Sequence, residues 1–460
     1  MAEQLVYSFE EAALRGLNRE VLGGKAESLV RMTQAGMPVP PGFVITTKAM
    51  PQKGDEYATW YSVREQVFWA VDRLERALRK TVGGEALVSV RSGAPVSMPG
   101  MMDTLLNVGL SPVIGIYQMW ENCTTMLTQL RDGARKAGIS VELEKQTPMS
   151  QIREAICAVW RSWYSPRAVA YRKAKGLPDD MGTAVTIQAM VFGLGEDSGT
   201  GVAFSRNPET GDRALLAEIL YNAQGEALVS GARTPKAVVG REPWYSELAG
   251  YVRRLEELWG DAVDVEFTVE DGKLWLLQCR ALVADDSAAV RIASEMLAEG
   301  LVPAEVAEQR IREHTPQVSV AQPEVDPRIL ERAAPVATGL GVGTRLAVGY
   351  QAVDREAAEY RQQRGEPYIL VSETTTPEDL PWMLTASGLV TLEGGCTCHA
   401  AIVARGLGLP AVVGCRDFDG QYNIQGHNIL LVVDPEEGGV WRLDAGVTLE
   451  EARGNVAVSA

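Results

Sequence analysis

The stretch TLEGGCTCHAAIVARGLGLPAVVG, residues 391–414, carries more chemical information than any other part of the chain. It reads as a strand running into a Gly-Gly turn, after which His399 opens a helix of small residues that allow close packing. Gly394 and Gly395 permit a backbone approach that a Cβ would block. A helix starting near His399 aims its unsatisfied N–H groups and the positive end of its dipole at any anion carried on the imidazole. The same dipole favours a neutral ring with a nucleophilic nitrogen. Arg405, about two turns on, offers further positive charge, and Gly394, Gly395, Thr397 and Arg405 form the expected support of the His399 site.

Outward from this segment the chain alternates strand-like and helix-like patterns. Before it come Tyr368–Val371 and Gly388–Leu392 as strands; after it, Ala411–Val413 and Ile429–Val433. The Pro-rich stretch 315–334 predicts a linker, with a mixed α/β unit over 335–445 and a short tail over 446–460. Residues 1–314 make the other unit. There the pattern predicts a helix through Ala26–Ala35, strands at Gly42–Thr47, Ala86–Arg91 and Thr183–Phe192, and a largely helical region over 115–176. One amphipathic helix is predicted over 285–313. Glu270-Asp271-Gly272 separates two strand-like runs, and its Asp-Gly predicts an antiparallel hairpin from Asp264 to Arg280. Alternation then sets Asp264 and Glu266 on one face of the first strand, and Gln278 and Arg280 on one face of the second.

Bulk properties bound the rest. A chain of 460 residues exceeds what one core usually organises. Its 44 Lys plus Arg against 60 Asp plus Glu give a formal charge of −16, which supports neither a nucleic-acid nor an anionic-membrane partner. No apolar run approaches the ~20 residues of a membrane span. The first residues lack the pattern of a signal peptide. Six scattered cysteines do not make a disulfide framework, so the expectation is a reduced, cytoplasmic enzyme. Cys396-Thr-Cys398-His399 invites a metal-site reading, but no second ligand pair accompanies it. His314 and His427 read as structural or surface residues, and Trp160 and Trp163 as a helix packing face.

Residues 391–414 resemble the phosphohistidine segment of the PEP-utilising enzymes, the family of pyruvate, phosphate dikinase and PEP synthase. Three more passages resemble the ATP-grasp domain of the dikinase branch: Leu22-Gly-Gly-Lys25 through Gly42-Phe43, SVRSGAPVSMPGMMDT over 89–104, and Gln188 through Pro208. The resemblance implies an α/β and α+β multidomain protein, with an ATP-grasp nucleotide-binding domain followed by a swivelling β/β/α phosphohistidine domain. It also implies that His399 is the catalytic phosphoryl carrier, that Glu266 and Gln278 hold Mg²⁺, and that Lys25, Arg91, Asp264 and Arg280 contact ATP. Gly100, Met101 and Thr104 would belong to a loop presenting backbone N–H groups to the phosphates. The implied reaction uses ATP and inorganic phosphate to phosphorylate His399, releasing AMP and pyrophosphate.

Two departures stand out. The family usually has Ser immediately before the His, where this chain has Cys398, and the region 115–180 is shorter than its counterpart. Thr397 matches a threonine that regulatory kinases modify in some relatives. The family's pyruvate- or PEP-binding barrel needs about 250 residues and has no counterpart after residue 445. The phosphoryl group is therefore expected to pass to pyruvate on a separate barrel partner. The alternatives are a phosphotransferase serving another small-molecule acceptor and a non-catalytic ATP-binding regulatory module.

Overall fold

A computed structural model describes residues 3–98, 100–110, 123–139, 143–225, 234–314, 330, 334–376, 379–396, 398–418, 429–443 and 447–452. They fall into two compact units: Met1–Gly199 with Val265–Arg280, and Thr200–Asp264 with Ala281–Ala460. Most of the expected linker, and His427, lie outside the described residues.

The first unit is built on a five-stranded sheet. Its strands are β1 (Val6–Ser8), β2 (Gly42–Ile45), β3 (Val88–Gly93), β4 (Thr104–Val108) and β5 (Ala184–Ala189), in the order β1-β2-β5-β3-β4. β2 and β5 are buried along their whole length, which explains their near-continuous apolar runs. Helices Glu56–Leu78 and Pro148–Ser162 cover the sheet, contributing Trp60, Val63, Val67, Ile156 and Trp160 to one core. Trp160 and Trp163 are both buried, in keeping with a packing role.

The helix predicted from Ala26 begins earlier, at Arg19, and runs to Gln34 with a break at Gly23. Gly23 has φ 70°, and a Cβ there would lie 1.8 Å from the carbonyl oxygen of Gly93. Only glycine lets this helix start press against the end of β3. Asn18 caps it, its side chain accepting from Val21 N–H.

The predicted hairpin forms as read. β9 (Val263–Glu270) and β10 (Lys273–Ala281), numbered after the strands β6 to β8 given below, are joined by Asp271 and Gly272 at φ 50° and 75°. Two positive φ values in a two-residue loop make the turn whose twist suits a hairpin. The hairpin is fastened along its length. Leu276 N donates to Pro38 O at 2.9 Å, and Ser28 Oγ both donates to Cys279 O (2.6 Å) and accepts from Cys279 N (3.0 Å).

In the second unit, β6 (Gly199–Phe204), β7 (Leu216–Tyr221) and β8 (Lys236–Ala237) stand in that order. The single helix predicted over 285–313 is two, Asp286–Ala298 and Ala304–His314. Gly300 at φ 72° and Pro303 break it, which lets both halves pack around Ala262 and Val302. His314 lies at the end of the second helix, its Nδ1 3.1 Å from Asp286 Oδ1.

The remaining strands are β11 (Ala337–Thr338), β12 (Leu340–Val342), β13 (Ala347–Ala352), β14 (Tyr368–Ser372), β15 (Gly388–Thr391), β16 (Ala411–Val413), β17 (Leu430–Asp434) and β18 (Gly439–Arg442). They form one sheet ordered β11-β18-β17-β13-β14-β15-β16-β12. β13 to β16 are mutually parallel, flanked by antiparallel pairs. Helix His399–Leu407 is the crossover from β15 to β16. The loops after β14 and β15 thus open at the carboxyl ends of parallel strands, the edge where ligands bind in such sheets.

Arg206 holds the helices of this unit together. Its side chain is fully buried and reaches Glu256 at 2.8 Å, Glu295 at 3.1 Å and Glu299 at 2.8 Å. Removing the guanidinium strands the buried Glu256 carboxylate without its counter-charge. Arg206→Met is expected to lower the free energy of unfolding by about 3 kcal/mol, read by urea denaturation; a loss below about 1 kcal/mol contradicts this account.

Candidate functional site

In the first unit, the side chains that the sequence singled out converge on Arg91. β3 places it half-buried, opposite Thr104 on β4. Its Nη2 donates to Gln278 Oε1 at 3.2 Å and lies 3.7 Å from Glu266 Oε2. One guanidinium nitrogen therefore gathers an amide oxygen from one hairpin strand and a carboxylate oxygen from the other. The turn at Asp271-Gly272 fixes the register that makes this possible.

Lys25 and Arg280 join the cluster electrostatically. Burial pulls the Lys25 ammonium down to about 7, helped by the positive charges of Arg91 and Arg280, with Glu266 opposing. Burial also lowers the Arg91 guanidinium, again against Glu266. Like charges held this close disfavour one another's charged forms, and an anion among them relieves that. Among the described residues no group of three or more His, Cys, Asp or Glu side chains gathers to hold a metal. Two converging hard oxygens, Glu266 and Gln278, fit Mg²⁺, which takes its remaining ligands from water and phosphate.

Residues 100–103 lead into β4, whose first residue Thr104 pairs with Arg91. Gly100 takes φ 68°, Met101 N donates to Met98 O at 3.2 Å, and the side chains of Met98 and Met101 are buried as anchors. Thr104 is exposed at the head of β4. Asp264 is buried on β9, two residues before Glu266.

His399 lies in the second unit as the first residue of its helix. Cys398 is the cap: its Sγ accepts from Ala401 N at 3.5 Å, the position a serine hydroxyl fills in most caps. The close approach anticipated for both glycines is made by one. A Cβ on Gly394, at φ 124°, would lie 2.7 Å from Cys398 Sγ, whereas at Gly395 it would meet open space. Thr397 lies outside the described residues.

Thr375, which the sequence did not single out, sits 2.9 Å from His399 Nδ1 through its Oγ1 and is buried. It follows β14 as His399 follows β15, so two neighbouring parallel strands deliver the pair. Arg405 donates to Cys396 O at 2.8 Å, tying the helix back to the carrier loop. Its remaining nitrogens face Glu209 at 3.3 Å and Asp285 at 3.8 Å, and its side chain is 2% exposed. Arg405 thus braces the loop while its charge is directed to carboxylates.

Comparison with known proteins finds two family matches along the chain. Residues 59–244 and 242–301 match the family described as pyruvate phosphate dikinase, AMP/ATP-binding domain. The chain belongs to the pyruvate, phosphate dikinase family. Residues 365–438 match a second family description, PEP-utilising enzyme, mobile domain, which takes in both Thr375 and His399. The chain is 36% identical to the pyruvate, phosphate dikinase of Clostridium symbiosum, over 90% of this chain and 54% of that protein. It is 38% identical to that of Giardia intestinalis, over 90% and 54% respectively. The chloroplastic dikinase of Flaveria trinervia is 35% identical, over 90% of this chain and 50% of its own length. The chain spans about half the length of these curated relatives.

The dikinase-family cluster around Arg91 makes a pH prediction. Lys25 keeps its charge below about pH 7 and loses it above, because its ammonium is lowered to about 7. A polyphosphate anion binds the charged form, so affinity for tripolyphosphate should fall as pH rises from about 6 to about 9. Lys25→Met should flatten that dependence. A wild-type affinity that stays constant across the range contradicts the assignment.

Proposed function

We propose that this chain carries out the ATP-dependent half of a pyruvate, phosphate dikinase reaction and stores the phosphoryl group on His399. The observation that carries the reading is the convergence of Glu266 and Gln278 on Arg91, beside a lysine whose charge is disfavoured until an anion arrives. Such a cluster suits the polyphosphate of ATP. Lys25, Arg91 and Arg280 balance its negative charge, and Arg91 can engage phosphate oxygens through its planar fork. The backbone of Gly100–Thr104 lies along the same strand edge to orient the chain of phosphates. Mg²⁺, when held by Glu266 and Gln278, would neutralise charge developing on the bridging oxygens.

His399 attacks the β-phosphorus, so a nitrogen–phosphorus bond forms while the bond from the β-phosphorus to the α,β-bridging oxygen breaks, releasing AMP. The γ-phosphoryl passes to inorganic phosphate, giving pyrophosphate. ATP, phosphate and the protein thus become AMP, pyrophosphate and phosphohistidine, with every phosphorus accounted for. Thr375 at Nδ1 supports the transfer at Nε2. We take Nδ1 to carry the proton and donate it to this hydroxyl, which leaves the Nε2 lone pair available.

The second half-reaction moves the group from His399 to pyruvate, giving phosphoenolpyruvate. We assign that step to a pyruvate-binding barrel, a fold that needs about 250 residues of its own. The protein is incubated with ATP, Mg²⁺ and phosphate, and AMP and an acid-labile adduct on His399 are expected. His399→Ala should abolish the adduct and leave nucleotide affinity within about twofold. An adduct that persists in His399→Ala moves the carrier elsewhere; nucleotide binding without AMP or adduct favours a binding module. Adding a dikinase barrel and pyruvate should yield phosphoenolpyruvate, and discharge only to other acceptors would overturn the pyruvate assignment.

A further inference from the structure

The stretch from Gly100 to Asp103 is gripped by an arginine on a neighbouring helix. Arg167, in the first turn of helix Pro166–Lys175, donates from Nε to Met101 O at 3.1 Å, and its Nη2 pairs with the Asp103 carboxylate. Asp103 N in turn donates to Ser162 Oγ at 3.1 Å, which itself donates to Val159 O at 2.7 Å. The guanidinium grips the loop at two residues, one through a carbonyl and one through a carboxylate.

The helix bearing Arg167 is itself immobilised. Arg172, one and a half turns on, is fully buried, stacks 4.0 Å from the Trp163 ring centre, and bonds Asp179 Oδ1 at 2.7 Å and Trp163 O at 2.9 Å. Ser165 caps the helix and Pro166 starts it. A rigid platform therefore ends in a planar two-point grip on the loop that bears Gly100, Met101 and Thr104. Neither Arg167 nor Asp103 is offered to a ligand in this arrangement; they face each other.

We propose that Arg167 is a positioning residue for the polyphosphate of ATP, acting through Asp103 and the Met101 carbonyl to fix the course of the backbone from Gly100 to Thr104. The inference rests on the proposed function. It makes a specific demand: loss of the grip weakens recognition of the β- and γ-phosphates and spares a ligand that lacks them. Lysine cannot replace the fork, because a point charge holds the carboxylate or the carbonyl but not both in one plane.

The test compares ATP and AMP binding, each with Mg²⁺, by calorimetry on the full chain and its Arg167→Met, Arg167→Lys and Asp103→Asn variants. Arg167→Met should weaken ATP by at least about tenfold, and AMP by less than about twofold. Arg167→Lys should fall between wild type and Arg167→Met. Asp103→Asn, nearly isosteric, should show the same ATP-selective loss and serves if Arg167→Met does not fold. ATP affinity that is unchanged, or ATP and AMP affinities that fall in parallel, overturns the proposal. A wild-type chain that binds neither nucleotide is a distinct result, removing the proposed function and this inference with it.

Discussion

Arg91 and the two oxygens it gathers set the arrangement of the first unit's candidate site. The guanidinium reaches Gln278 on one hairpin strand and Glu266 on the other, so a single side chain of β3 fixes where the hairpin's polar face stands. Each partner depends on something further out. The hairpin needs the two positive-φ residues of its turn and the bonds to Ser28 and Pro38. β3 needs the close approach of Gly23, which also brings Lys25 to the cluster. Taking away the arginine would leave a half-buried carboxylate and a half-buried amide with no common partner, in a place that disfavours lone charges.

The electrostatics of this cluster run opposite to those of a stability device. Buried Arg206 meets three carboxylates, and burial is offset by hydrogen bonds to Glu256 and Glu299 that raise its guanidinium. Around Lys25 the balance is different: burial and the neighbouring Arg91 and Arg280 drive its ammonium down to about 7, with Glu266 opposing. Shifts of that kind cluster at functional sites.

Much of this was legible in the chain because the decisive signals are local. Asp271-Gly272 announces its turn, Gly394 and the small residues after His399 announce a helix start, and the segment around Arg91 is a short apolar strand with one cation. What escaped is what only the folded chain brings together. Thr375 lies 24 residues before His399 and meets it because β14 and β15 are parallel neighbours. Arg167 lies 64 residues from Asp103 and reads as an ordinary surface cation until the helix is packed. Arg405 reads as further positive charge supporting the His399 site, and the fold shows where that charge goes: its Nη2 and Nε turn toward Glu209 and Asp285. The break at Gly300 and Pro303 was visible in composition but hidden by an amphipathic pattern that continues across it.

The central claim is that the phosphoryl group stored on His399 is the middle one of ATP, taken while the terminal one leaves with phosphate. The most direct measurement supplies ATP labelled at either the β- or the γ-phosphorus, with Mg²⁺ and unlabelled phosphate, and follows where each label goes. The account predicts β-label on His399 and γ-label in pyrophosphate. The γ-label on His399, with ADP as the product, would contradict it.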